Sequence, residues 1–475
     1  MTAIRPAEHG TAAKVIDMAT IRRRRQRPAG GGAARVVVAG AGFGGLAAAR
    51  ALAHAGMQVT LIDRNLYATF QPLLYQVATA GLASSDVAYP VRAAARRYHA
   101  AFRHGELAGL DPAARQVTLT DGTTLGYDYL ILATGVAAAY HGIPGAAEHT
   151  LGLYTRTDAI ILRDRLMRVL DRMSRGGGHG DVAVTIIGGG PTGVELAGTV
   201  ADLRTTTLPA LFGDIDPARV HIRLLDRGPA LLAPFHPGLR EYTRRELTAR
   251  GVEIRPGTTI TEITPDQVLL ADGTTLASDI TVWAAGVAAP DAAAGWALPQ
   301  ADGGRIRTGP DLRVAGQERI FAVGDIALID GEPLPQLAQP ALQMGRHAAG
   351  QIRRLERGQP VVPFRYRDKG IMATIGYRSA VVQLPGRLRS RGTPAWLAWL
   401  ALHLITLLGG RNRISALVNL SWRYLSWRHG GGLIVGEGTT GPVPAERSAR
   451  PAGGEAPVRG YSYVADAAMN APGGR

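Results

Sequence analysis

The sequence predicts an α/β fold with two Rossmann-like domains, the second inserted in the first, followed by a helical C-terminal region. Two glycine-rich loops, a pair of matching hairpins behind them and one late apolar helix lead to that fold. "VVVAGAGFGG" at 36–45 and "VTIIGGGPTG" at 184–193 are apolar runs that enter G-x-G-x-x-G. Each is followed by a helical stretch, "LAAARALAHAG" or "VELAGTVADL". Further on, "LTDGTTLGYDYLILATG" (119–135) matches "LADGTTLASDITVWAAG" (270–286) almost position for position. In each copy an Asp-Gly turn is expected to join two strands, the second ending in a small-residue loop. Gly40 and Gly135 are 95 residues apart, and Gly188 and Gly286 are 98 apart. A lone G-x-G-x-x-G is weak, but two with the same hairpin at equal distance predict two dinucleotide-binding domains.

Each glycine has a stated task. Gly40 permits the tight turn, Gly42 lets backbone approach a pyrophosphate, and Gly45 lets helix pack on strand, with phosphates held at the helix N-terminus. Gly188, Gly190 and Gly193 repeat the set. Each copy also needs an acid at the end of its second strand for ribose hydroxyls. "QVTLID" supplies Asp63 and "VHIRLLD" supplies Asp226, delayed by an insertion around 202–219. Arg227 beside Asp226 leaves room for a 2′-phosphate, so NADH is favoured over NADPH without exclusion of the latter.

Composition limits the chemistry. The 475 residues suffice for two or three domains, and the absence of cysteine removes disulfides, thiolate metal sites, iron–sulfur clusters and a redox-active Cys pair. Electrons would travel through a bound organic cofactor. No His cluster has metal-ligand spacing, so no metal is expected. No export signal is read in the first 34 residues, and cytoplasmic residence is expected. Residues 1–34, with the arginine run at 22–27, and 437–475 are read as mobile tails.

The paired loops resemble the two-dinucleotide-fold flavoproteins, in which FAD lies on the first fold and a nicotinamide nucleotide on the inserted second. "RIFAVGDIA" at 319–327 resembles that family's later flavin motif, with Asp325 toward the ribityl chain. The resemblance implies FAD contacts from Gly40, Gly42, Phe43, Gly44, Gly45, Asp63, Arg64, Ala133, Thr134, Gly135, Gly324, Asp325 and Ala338. For NADH it implies Gly188, Gly190, Pro191, Thr192, Gly193, Asp226, Ala285 and Gly286. The FAD domain is then 35–180 with 280–350, and the NADH domain 181–279.

Four longer segments narrow the likeness. "FQPLLYQVATAGL" (70–82), "QLAQPALQMGRHAA" (336–349), "YRDKGIMATIGYRSAV" (366–381) and "PAWLAWLALHLITLLGGRNR" (394–413) with its continuation resemble the single-subunit type II NADH:quinone oxidoreductases. Ala68 and Thr69, Pro340 and Met344 depart from that pattern and leave the fine quinone specificity open. The resemblance implies an enzyme that passes a hydride from NADH to FAD and two electrons onward to a membrane quinone, without proton pumping. Gln339 and Gln343, four apart on one helical face, are the neutral hydrogen-bonding pair expected at the quinone carbonyls. Glu195 is expected to gate the nucleotide or relay protons, with helix-dipole stabilisation as the plain alternative. Lys369 is a quinone-side candidate by resemblance alone.

Residues 351–436 are assigned to membrane association and quinone access. Thr393-Pro394 and Gly409-Gly410 limit the apolar helix to about fourteen residues, roughly 21 Å against the ~30 Å of a bilayer core. The following stretch is amphipathic, Ser415, Asn419, Arg423 and Ser426 opposing Leu417, Leu420, Tyr424 and Trp427. Four of six tryptophans, at 396, 399, 422 and 427, lie here and suit a headgroup layer. No Asp or Glu occurs from Lys369 to Gly436, while Arg387, Arg389, Arg391, Arg411, Arg413, Arg423 and Arg428 accumulate. The net charge of +15 is therefore read as affinity for an anionic membrane surface through 387–428 and not for nucleic acid. A peripheral enzyme on the cytoplasmic face of the cell membrane, homodimeric by resemblance, is the expectation. Two rivals stand beside it: a soluble-type NADH reductase of a small redox protein, and a non-catalytic NADH- and flavin-binding membrane protein.

Overall fold

The computed structural model describes residues 32–177 and 180–425. The expected tails at 437–475 and, apart from 32–34, at 1–34 lie outside them, as do Ser426, Trp427 and Arg428. The described residues fall into two compact units, one of 32–68, 89–137 and 287–369, the other of 69–88, 138–286 and 370–425.

The first unit is built on a five-stranded parallel sheet in the order Ile320–Ala322, Tyr129–Leu132, Arg35–Ala39, Gln58–Asp63, Ala101–His104. "VVVA" and "YLIL" are buried on both faces, as a parallel sheet covered by helices requires. The helix Phe43–His54 follows the first strand and ends at Ala55 and Gly56, whose φ of +80° stops it. It packs on the helix Ala338–Leu355, and the approach is close because neither contact residue carries a β-carbon: one at Gly345 would overlap the Gly44 carbonyl, and one at Gly44 would lie 3.3 Å from the Ala341 carbonyl.

The second unit repeats the plan. Its parallel sheet runs Leu151–Gly152, Ile280–Trp283, Val182–Ile187, Val220–Leu225, Val252–Arg255. The helix Arg156–Arg175 starts in a capping box, in which Thr155 and Asp158 satisfy each other's backbone N–H. The helix Pro191–Asp202 leaves the second glycine loop with proline at its first position, where the missing N–H costs nothing.

The expected hairpins form, but not as a strand that runs on into the small-residue loop. Gln116–Leu119 pairs antiparallel with Thr124–Gly126, and the chain then breaks before a third strand, Tyr129–Leu132, enters the parallel sheet. The break has a cause: Asp128 turns to accept the Arg35 backbone N–H at 2.8 Å and its guanidinium at 3.1 Å. The second copy splits in the same way, Gln267–Leu270 pairing with Thr275–Ala277 before Ile280–Trp283, with Asp279 accepting the Ala183 N–H at 2.9 Å.

A further antiparallel sheet of Ile371–Gly376, Ser379–Gln383 and Arg389–Arg391 packs on the helix Pro191–Asp202, where a β-carbon at Gly198 would overlap the Ile375 carbonyl. The helices Thr393–Thr406 and Gly410–Leu425 close the described chain, the first matching its expected length. Among the described residues no helix is long and apolar enough to cross a membrane.

Tertiary packing corrects the reading of this region. Trp396 and Trp399 are core residues, 7% and 1% exposed: Trp396 packs on Ala380 and Val382, and Trp399 lies against Tyr75 and His403. Only Trp422 of the described tryptophans here points outward, at 62%. In the last helix polar residues dock together with Ala416, Leu420 and Tyr424. Asp86, 3% exposed, accepts from Ser415 Oγ at 2.7 Å, Asn419 Nδ2 at 2.8 Å and the Ala83 N–H at 3.1 Å. Asn412 donates to the Ala88 carbonyl, and Arg423 donates to Gln76 Oε1 at 2.7 Å, so Arg423 is not part of a free basic surface. Ile414, Leu417, Val418 and Trp422 are left exposed.

Candidate nucleotide and redox site

Both glycine loops adopt the conformation their sequence demands. Gly40 has φ +106°, and its N–H donates to Ile62 O at 2.8 Å; a β-carbon there would strike the Ala133 carbonyl. Gly188 has φ +115°, donates to Leu225 O at 2.7 Å, and would strike the Ala284 carbonyl. Gly45 and Gly193 lie against the carbonyls of Gly40 and Gly188. Gly42 and Gly190 face open space, with nothing within 4 Å of the position a β-carbon would take. A cradle so bounded by backbone and open above its middle glycine fits a pyrophosphate at each helix start.

The acids close each loop from the neighbouring strand. Asp63 accepts the Ala41 N–H at 2.6 Å and the Asn65 N–H at 2.7 Å, while burial pushes its carboxyl up against those bonds. Asp226 accepts from the Gly189 N–H and from the Gly228 N–H at 2.6 Å. Each carboxylate thus ties glycine loop to strand end and keeps lone pairs for a ribose. Arg64 is ion-paired with Glu106 at 3.2 Å.

Three features of the first unit are unmet acceptors or unused space. The Thr134 hydroxyl, in the loop between Ala133 and Gly135 (φ +69°), is buried without a partner among the described residues. Asp325 follows Gly324 (φ +73°), and among the described residues nothing donates to its carboxylate; burial, opposed only by Arg305, raises it to about 6. Arg305 spends its own donors on the carbonyls of Asp325 and Ala327. Arg305, Asp325, Gln336, Pro340 and Met344 line a small cleft beside the helix that begins at Ala338. A buried acceptor with no donor fits a ligand rich in hydroxyls, and FAD is such a ligand.

The expected quinone-side residues are differently occupied. Gln339 is half-buried, and among the described residues no hydrogen bond reaches its amide. Gln343 pairs with the backbone of Arg367 in both directions, Nε2 to O and N–H to Oε1, each at 3.0 Å. Lys369 is exposed. Glu195, in the second unit, sits not in the first turn of its helix but one turn in. It is 8% exposed, its Oε1 accepts the Thr374 N–H at 3.3 Å, and burial raises its carboxyl to about 8. Tyr75, Trp399 and His403 belong to the same buried group: Tyr75 lies 6.0 Å from Trp399 between ring centres, and His403 stacks on Trp399 at 4.1 Å. Burial holds His403 down at about 4, so it is neutral. Sequence reasoning read Trp399 as an interfacial residue and missed Tyr75, His403 and Asp86, since an aromatic in an apolar stretch and an aspartate in "SSD" carry no local signal. Among the described residues no group of His, Asp and Glu is placed to hold a metal.

The chain belongs to the pyridine nucleotide-disulphide oxidoreductase family, whose model matches residues 34–345. Within it, the chain groups with type II NADH:quinone oxidoreductases. It is 38% identical over 405 residues to the type II NADH:quinone oxidoreductase NdhA of Mycobacterium tuberculosis, covering 80% of this chain and 85% of that protein. To Ndh of the same organism it is 36% identical over 416 residues, covering 83% and 89%. The fold is that of NDH2 from Plasmodium falciparum solved with NADH, with a TM-score of 0.77, 18% identity, and 84% of this chain and 99% of that one covered.

Proposed function

We propose that this protein is an FAD-dependent NADH:quinone oxidoreductase. The observation that carries the reading is the doubled cradle: two complete glycine loops, each closed by its own aspartate, in a chain without cysteine. FAD, when bound, supplies a two-electron relay between nucleotide and quinone. The chain's own residues bind, orient and protonate. Asp325 and Thr134 hold hydroxyls of the FAD on 35–180 and 280–350, and Asp226 holds the adenosine ribose of NADH on 181–279. Gln339, whose amide has no hydrogen bond among the described residues, takes a quinone carbonyl. Gln343 and Lys369 belong to the same side, and Glu195 holds a proton near neutrality. Stopped-flow flavin absorbance tests the reading: anaerobic NADH bleaches the flavin, and a short-chain quinone then restores it within the turnover time. A flavin bleached by NADH and left bleached by quinone overturns it.

The peripheral membrane reading rests on the outward face of the last two helices. Leu397, Leu402 and Ile405 join Ile414, Leu417, Val418 and Trp422 as exposed apolar side chains, near the exposed Arg387, Arg389, Arg391, Arg411 and Arg413. Apolar side chains left exposed in this number suit a lipid surface, and the arginines suit an anionic one on the cytoplasmic side. A quinone dissolved in that layer would reach the protein there, and a homodimer is carried over from the resemblance. Replacing Ile414, Leu417, Val418 and Trp422 by serine is expected to weaken sedimentation with vesicles of one-third anionic lipid by about 100-fold or more, each large side chain contributing ~1.5–3 kcal/mol when fully buried. Undiminished binding of that variant would exclude this face as the anchor.

A further inference from the structure

The segment 138–145 is laid across the carboxyl end of the strand Ile280–Trp283 by three hydrogen bonds. The Ala139 N–H donates to Gly286 O at 3.1 Å, the Trp283 indole N–H donates to Ala139 O at 3.0 Å, and the His141 ring lies 3.0 Å from Ala285 O through Nε2. His141 holds a left-handed backbone, φ +53°, which a residue with a β-carbon adopts only where its surroundings require it. Its ring is exposed, 6.3 Å from the Trp283 ring centre, and it fills the space a β-carbon on Gly286 would take, 2.6 Å from Nε2. No role has been given to it above.

Its tautomer and its place in the fold say what it does. A carbonyl only accepts, so Nε2 carries the hydrogen and Nδ1 keeps a bare lone pair. Among the described residues nothing donates to that lone pair. In this sheet Val182–Ile187 lies between Ile280–Trp283 on one side and Val220–Leu225 on the other. The pyrophosphate cradle follows the central strand, and Asp226, for the adenosine ribose, follows Val220–Leu225. The remaining half of a dinucleotide therefore extends toward Ile280–Trp283 and the loop Ala284–Gly286 that His141 caps. That half ends in a nicotinamide, whose carboxamide N–H₂ is the donor a bare imidazole nitrogen can take. The geometry points to His141 as a nucleotide-recognition residue: its Nε2–H holds Ala285 O, and its Nδ1 accepts from the nicotinamide carboxamide.

This rests on NADH occupying the second fold, and the test separates the two claims. Titration calorimetry of the oxidised holoenzyme with NAD and with its 3-acetylpyridine analogue, in which a methyl replaces the N–H₂ donor, measures binding without turnover. Wild type is expected to bind NAD about 5- to 10-fold tighter than the analogue, as one neutral hydrogen bond gives. His141→Ala should lose that margin for NAD and leave the analogue unchanged. His141→Asn, which tolerates positive φ and carries both a donor and an acceptor, should restore most of it. An equal loss for both nucleotides, or no loss for either, overturns the carboxamide contact. Failure of wild type to bind either nucleotide overturns instead the placing of NADH on this fold.

Discussion

Gly190→Val is expected to abolish reduction of the flavin by NADH while the protein stays folded and yellow. Gly190 has extended backbone, φ −73° and ψ −178°, which valine adopts freely, and its β-carbon would meet nothing within 4 Å. The fold therefore tolerates the change. The added methyls fill the opening over the loop, where a pyrophosphate must come within hydrogen-bond reach of the helix N-terminus, so the apparent NADH affinity should fall by roughly 100-fold or more. Gly193→Val, three residues on, should fail differently: its β-carbon overlaps the Gly188 carbonyl, so helix and strand must separate and the melting temperature drops. Rapid NADH-dependent bleaching of G190V, or unfolding of G190V as severe as that of G193V, would refute the cradle.

Glu195→Gln should separate the two half-reactions and flatten the pH dependence of stability. The carboxyl of Glu195 is raised from 4.5 to about 8 chiefly by burial. The folded state therefore binds a proton that the unfolded state releases between those values. The stability this contributes is fully present below about 4.5 and is lost as pH rises through 8, by up to roughly 1.4 kcal/mol per pH unit within that window. Glutamine has no proton to lose, so wild type should lose melting temperature relative to E195Q as pH rises from 5 to 8. Glu195 is protonated at neutral pH, and on the proposed reading it gives a proton as quinone is reduced. E195Q should slow flavin reoxidation by about 100-fold and leave bleaching by NADH unchanged, and the wild-type reoxidation rate should decline above pH 8. Parallel pH profiles for the two proteins, in stability and in reoxidation, would remove Glu195 from the proton path.

Which of these features were legible in the chain follows from the range of the forces involved. Gly40, Gly45, Gly188 and Gly193 were legible because a tight turn and a close helix–strand approach constrain backbone within a few residues, and only glycine meets the constraint. Asp63 and Asp226 were legible because strand periodicity delivers them in register with those glycines. The length of the helix Thr393–Thr406 was set by local breakers, proline at one end and paired glycines at the other.

Long-range partners were not legible. Gln343 differs from Gln339 only in that its amide meets the backbone of Arg367, 24 residues away. Trp396 and Trp399 have the composition of an interfacial belt, and the hairpin beneath Trp396 and the Tyr75 ring beside Trp399 make them core. Polar residues ordinarily face water, so the helix Gly410–Leu425 reads from sequence as polar side out. It docks Ser415 and Asn419 together with Ala416 and Leu420, because Asp86, more than 300 residues earlier, is buried and must find donors, and Ser415 and Asn419 supply them.

By itself, then, the sequence determined the two cradles, the acids that close them and the absence of thiol chemistry, all consequences of covalent geometry and residue type at short range. The tertiary structure alone decided that Glu195 keeps its proton near neutrality, that the carboxylate of Asp325 lacks a donor among the described residues, and which residues of the last helix are turned outward. Desolvation and hydrogen-bond satisfaction are properties of a surrounding, and a surrounding exists only once distant segments have packed.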